Sequence, residues 1–209
     1  MKPLTEDSWK LAWGQALDQT VEELGGTDLS ERCQMSGARW RSDDGVAEVE
    51  LLNRVYQVLP PVFEVVGPRI GEEVPITDRI LLLHYLSKAS GKPPTGEWIS
   101  FDKVPGGEIY LPVFRARSID RLVRGYSGRE ETLLETARAS GGRPAEFGDV
   151  SVCIQALPRV PVAVILWRGD EEFSPSGNLL FDATVTEYLP MEDVVVLAGI
   201  VATRLLEGR

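Results

Sequence analysis

Histidine occurs once in these 209 residues and cysteine twice, and these two scarcities exclude more than any motif present asserts. With His84 as the only imidazole, the chain by itself can hold no His-rich zinc site, no H-E-x-x-H helix and no bis-histidine haem. Cys33 and Cys153 belong to no C-x-x-C pair, so the chain brings neither a zinc knuckle nor an iron–sulfur ligand set of its own. Such sparing use of cysteine fits a reducing compartment, and a cytoplasmic location is expected. Positive charge is also short. The formal net charge is −10, which tells against a nucleic-acid backbone or an anionic membrane surface as partner. No stretch approaches the ~18 uninterrupted apolar residues of a membrane span. The first residues place Glu6 and Asp7 ahead of an amphipathic pattern instead of a basic region followed by an apolar run, so no signal peptide is expected there. Nucleophile-elbow, P-loop and dinucleotide-binding glycine motifs are absent too.

What is present is the ordinary mixture of a globular protein, 43% hydrophobic and 26% charged, enough for a sizeable core without staples. The reading is a single α+β domain over residues 1–209, with a mixed, mainly antiparallel sheet and a buried central helix on which further helices pack. Residues 1–75 carry a first helix and a β-meander, and 76–209 the remainder. Trp9, Trp13, Ala16, Leu17, Val21 and Leu24 recur at helical spacing until Gly25-Gly26 ends the pattern. Four short β-like runs follow between Gly37 and Val66.

Thr77 is placed as the N-cap of the apolar helix through Leu81-Leu82-Leu83-His84-Tyr85-Leu86, which Gly91 and Pro93 terminate. The stretch 91–112 reads as loop with an extended piece near Trp98–Phe101. Helices are predicted from near Ser118 and from about Arg129. Val150–Ala156 and Val162–Trp167 are rich in branched residues and predict a central antiparallel pair, with the helix after Thr77 on one face of their sheet. A final helix opens at Glu192 and Asp193.

The candidate chemistry centres on His84, because an imidazole in so apolar a helix needs a hydrogen-bond partner or a ligand. Its stripe of Thr77, Leu81 and Lys88 places it at the edge of the buried face. A core histidine bonded to a backbone carbonyl, an axial ligand to haem or a corrinoid, a single ligand to a metal, and a catalytic base are the readings open to it. Tyr85 and Trp98 are candidates for the walls of a tetrapyrrole site. The acidic turn Asp170-Glu171-Glu172, with Asp182 beyond it, offers carboxylates for a divalent ion or for acid and base roles. Solvated turns and caps explain the same residues. The loops at Gly96-Glu97-Trp98 and Pro105-Gly106-Gly107-Glu108 read as a ligand lid or as rigid turns. Arg115, Arg117, Arg121 and Arg124 form a basic patch that reads as a solvated helix face.

From about Thr77 onward the chain resembles a bacterial and archaeal family known as domain of unknown function 3786. The resemblance rests on Leu82-Leu83-His84-Tyr85-Leu86, Gly96-Glu97-Trp98-Ile99-Ser100-Phe101, Pro105-Gly106-Gly107, Pro158-Arg159-Val160-Pro161, Gly169-Asp170-Glu171-Glu172-Phe173, Leu180-Phe181-Asp182 and Tyr188-Leu189-Pro190. It implies an anaerobic setting in redox or one-carbon metabolism, since some relatives carry an added iron–sulfur domain, and it carries over no catalytic residue. The resulting expectation is a ligand-binding accessory module holding a tetrapyrrole through His84. Two alternatives stand beside it: a metal-dependent enzyme using Asp170, Glu172 and Asp182, and a structural subunit docking onto an iron–sulfur or other redox partner through an apolar patch.

Overall fold

The computed structural model describes residues 6–208, with side chains from Gly14 onward. Trp9 and Trp13, expected on the apolar face of the first helix, therefore have side chains outside the described residues. The chain divides into two compact units, one of residues up to Val49 with Val55–Gly91, the other of Glu50–Arg54 with Lys92 onward.

The first unit opens with α1 (Glu6–Gly25), which the two glycines end as expected. Next comes α2 (Leu29–Ser36), a helix the sequence reading passes over. Its signals are local: Asp28 is an extended N-cap whose carboxylate accepts from the Ser30 amide, and Gly37 closes the helix at φ 76°. The meander then runs as β1 (Arg39–Arg41), β2 (Val46–Leu51), β3 (Arg54–Leu59) and β4 (Glu64–Val66), paired in that order. Leu52 and Asn53, at φ 52° and 61°, make the two-residue turn between β2 and β3, the backbone geometry that suits a tight hairpin.

The helix α3 (Ile76–Lys88) starts after Pro75, which supplies no side-chain cap. Thr77 lies inside the first turn and donates to Asp78 instead. Ile80, Leu81, Leu82, Leu83, Tyr85 and Leu86 are all buried, and the helix packs on α1 and α2. These partners lie within the first unit, whereas the sequence suggested the sheet of the central strands as the support of this helix. Arg32 of α2 donates to the carbonyls of Leu86 (2.8 Å), Ser87 (2.7 Å) and Ala89 (2.8 Å). Those carbonyls have no intrahelical donor, so one guanidinium does the work of a C-cap.

The second unit is built on a five-stranded sheet: β5 (Trp98–Ser100), β6 (Arg143–Pro144), β7 (Val150–Leu157), β8 (Val160–Trp167) and β9 (Ser176–Asp182). Its order is β5-β9-β8-β7-β6 with every neighbour antiparallel, so the expected pair β7 and β8 does occupy the interior. The strands thus fall into two antiparallel sheets where one mixed sheet was expected. Branched residues fill the centre. Val152, Ile154, Val162, Val164 and Leu179 are no more than 1% exposed, and each such side chain contributes roughly 1.5–3 kcal/mol of burial.

Four helices belong to this unit: α4 (Gly107–Arg117), α5 (Ile119–Tyr126), α6 (Thr132–Ala139) and α7 (Met191–Glu207). Helix α4 corrects the loop expected there. Pro112 sits inside it, and the pair Gly106-Gly107 that reads as a breaker is its start. Gly106 takes φ 81°, and a Cβ on Gly107 would lie 2.0 Å from the Phe101 carbonyl oxygen, so the tight entry excludes any side chain at 107. Phe101 stacks on Phe114 at 4.1 Å, and Phe114 meets the edge of Phe181. The Tyr126 hydroxyl, also bonded to Thr136 Oγ1, donates to the Leu205 carbonyl at 2.6 Å, fixing α5 to α6 and α7.

Candidate functional site

His84 stands where its helical stripe places it, half-buried between the fully buried Leu83 and Tyr85. One turn on, Lys88 reaches back to Glu23 of α1 at 2.7 Å. That ammonium holds the Glu23 carboxyl below its ordinary range, and His84 adds a smaller pull in the same direction. The imidazole therefore sits within the electrostatic reach of a carboxylate. Tyr85, in contrast, is committed to structure: its hydroxyl donates to the Ser36 carbonyl at 2.5 Å in the core of the first unit. Trp98 belongs to the second unit, where it pairs across the sheet with Asp182 and meets Phe147 edge-on at 6.1 Å.

The acidic candidates have separate duties. In the exposed turn after β8, Asp170 Oδ1 accepts from the amides of Glu172 (2.8 Å) and Phe173 (2.7 Å). The Phe173 amide first, then that of Glu172, hold the Asp170 carboxyl below its ordinary range. Its side chain is spent closing its own turn, and Glu172 is exposed. Asp182 is only 1% exposed. Its carboxylate accepts from the Thr95 amide (3.1 Å) and hydroxyl (3.2 Å), the Gly96 amide (2.7 Å), and the Thr184 amide (3.0 Å) and hydroxyl (2.7 Å). Burial alone would push this carboxyl up, but Thr184 and the two backbone amides outweigh it and hold it low. Asp182 is thus a latch pinning the segment 95–96 to the end of β9. Among the described residues no group of three or more His, Cys, Asp or Glu could hold a metal ion. Burial, together with the charge of Asp28, pushes the Cys33 thiol up to about 11, and burial also raises Cys153, which leaves both unreactive near neutrality.

A different surface stands out in the second unit. On α4, Ile109 is 82%, Tyr110 42% and Val113 41% exposed, with Pro112 exposed among them. Only Gly107 and Phe114 of that helix are buried. Other large exposed apolar side chains, such as Val62 and Ile70, stand in turns and bends. Sequence reasoning misses the α4 face because Pro112 and the glycines hide the helix. The spacing of Ile109 and Val113, four apart, is the signal that could have found it. The basic side chains expected as a solvated face lie along the end of α4 and on α5. Arg115 meets Asp120 at 3.4 Å and Arg121 donates to Thr203 at 3.0 Å, while Arg117 and Arg124 are exposed.

The architecture defines an α+β protein with two antiparallel sheets and, in its second unit, a helix with an outward apolar face. The sequence pattern of the family described as Domain of unknown function (DUF3786) matches residues 28–204, and the chain belongs to that family. The match begins at the N-cap of α2, so it takes in the meander as well as the segments from Thr77 onward. No curated protein and no solved structure matches the chain. Among the described residues no helix is long and apolar enough to cross a membrane.

Proposed function

We propose that the protein is an accessory structural subunit that works by assembly, with the outward face of α4 as its docking surface. The observation that carries this reading is the exposure of Ile109, Tyr110 and Val113 side by side on a helix that buries little else. Side chains of this size gain on the order of 1.5–3 kcal/mol each when covered, and adjacent ones mark interaction sites far more often than scattered ones do. The redox or one-carbon setting follows from the family resemblance alone. A photo-crosslinking residue at Val113, introduced in cells that make the protein, should yield a discrete adduct. The same residue at Glu146, exposed in the same unit, should not. Adducts that persist when Ile109→Asp is added would remove the reading.

One observation favours a second reading, a tetrapyrrole bound through His84. The imidazole is half-buried on an apolar helix and lies within electrostatic reach of the Glu23 carboxylate. Such a group would bring the optical and redox chemistry, and His84 would be the residue that holds its metal. Protein purified without oxygen should then show a Soret or corrinoid band that His84→Ala abolishes while the melting temperature stays within a few degrees. A colourless protein that also leaves added haemin and cobalamin spectra unchanged would dispose of it.

A further inference from the structure

We infer that the occupant of the α4 face is the α4 face of a second copy of this chain, paired antiparallel about a twofold axis. The inference rests on reading α4 as a docking surface and adds to it the identity of the partner. Helical spacing puts Ile109, Pro112, Val113 and Ala116 along the crest of the exposed side. Glu108 and Arg115 lie along one flank of that crest, and Tyr110 and Arg117 along the other.

A twofold axis perpendicular to the helix keeps each flank on its own side and reverses its direction. Glu108 of one copy then stands opposite Arg115 of the other, and the pair occurs twice. On the other flank Tyr110 meets Arg117 in the same reciprocal way, aromatic face to guanidinium. Along the crest Ile109 falls against Ala116, large against small, and Pro112 against Val113. A parallel pair would exchange the flanks, setting Glu108 against Tyr110 and Arg115 against Arg117, two like charges, so charge selects the antiparallel one. The net charge of −10 on each chain opposes association only weakly at this spot. Beyond about 10 Å in 0.1 M salt the distant carboxylates are screened, and the local charge along α4 alternates in the favourable sense. One helix pair of this length covers less area than a permanent dimer uses, so the association is reversible.

The test is light-scattering mass after size exclusion, with sedimentation velocity, on the full chain from about 1 to about 100 µM. The expected result is a mass that moves from monomer to dimer across that range and stays monomeric throughout in Ile109→Asp. Glu108→Arg alone and Arg115→Glu alone should each weaken association at least about tenfold, and the two together should restore it, because the reversed pair is again complementary. Unchanged far-ultraviolet circular dichroism and melting temperature in these surface variants show that the fold is intact.

A monomer at every concentration overturns the proposal. So does a dimer indifferent to Ile109→Asp, or one in which the double charge reversal fails to rescue the singles. A monomeric chain whose Val113 crosslinker still captures a different protein, in an adduct lost with Ile109→Asp, overturns the second copy as occupant and leaves α4 standing as a docking surface.

Discussion

Helices α3 and α4 carry comparable apolar content over 13 and 11 residues, yet one is the core of its unit and the other faces outward. In α3 the apolar residues run round the helix, and neighbours take up every kind of group. Leu82 and Leu83 are fully buried, Tyr85 gives its hydroxyl to Ser36, and Arg32 collects the terminal carbonyls. In α4 the stacked Phe114 anchors one side, and Ile109 on the other is 82% exposed. Counting hydrophobic residues along a helix therefore does not separate core from docking surface. What separates them is whether the opposite face also holds buried anchors.

The widest test of that contrast is a pair of truncations read by thermal or urea unfolding. Leu83→Ala leaves a cavity in a packed site and should cost about 3 kcal/mol, within the range of roughly 2–5 seen for such changes. Ile109→Ala removes a side chain already in water and should stay within about 0.5 kcal/mol. Similar losses in both would mean that α4 is core after all.

The next contrast is between the charged anchors of the two units, Asp182 accepting from five donors and Arg32 donating to three carbonyls. Asp182→Ala strands buried donors and should cost about 2–3 kcal/mol, while Arg32→Ala, at a half-buried site that water can reach, should cost about 1–2 kcal/mol. Asp182 also fixes a sign. Its folded carboxyl titrates below its ordinary value, so the stability it contributes is fully present above the unfolded value near 4 and is lost as pH falls through the folded one. Acid unfolding of the wild type should thus steepen below about pH 4 relative to Asp182→Asn. Parallel acid curves for the two proteins would contradict the latch.

These residues also show how far the sequence could be read. The strands β7 and β8 are legible because branched residues recur through both, at Val150, Val152 and Ile154 of one and through Val160, Val162, Val164 and Ile165 of the other, a composition that suits a sheet interior. His84 at the edge of its buried face followed from helical geometry. Helix α4 was not legible, since Gly106-Gly107 and Pro112 are breakers by propensity, and they are overridden by a tight contact with Phe101 and the stacking of Phe114. The roles of the carboxylates were undecided for a similar reason. Asp170 and Asp182 look alike in sequence, and only the fold shows that one closes an exposed turn while the other gathers amides from a segment 86 and 87 residues away. Tyr85 and Trp98 are each side chains that any apolar site could use, and which unit each belongs to is decided by long-range packing.

The smallest effect tests the neighbourhood of His84 itself. Lys88 and Glu23 are 46% and 37% exposed, so their ion pair should contribute no more than about 0.5 kcal/mol in a double-mutant cycle with Lys88→Met and Glu23→Gln, and less in 1 M salt. Its sign follows the same rule as that of Asp182: present above the unfolded value of a glutamate, lost as pH falls through the lower folded value. Carbon-detected titration of the Glu23 carboxyl resolves the contributors. It should rise most in Lys88→Met, whose ammonium is the main cause of its depression, and by a smaller amount in His84→Ala. An unchanged Glu23 titration in His84→Ala would place the imidazole out of reach of that carboxylate, and the tetrapyrrole reading would lose the electrostatic neighbour that favours it.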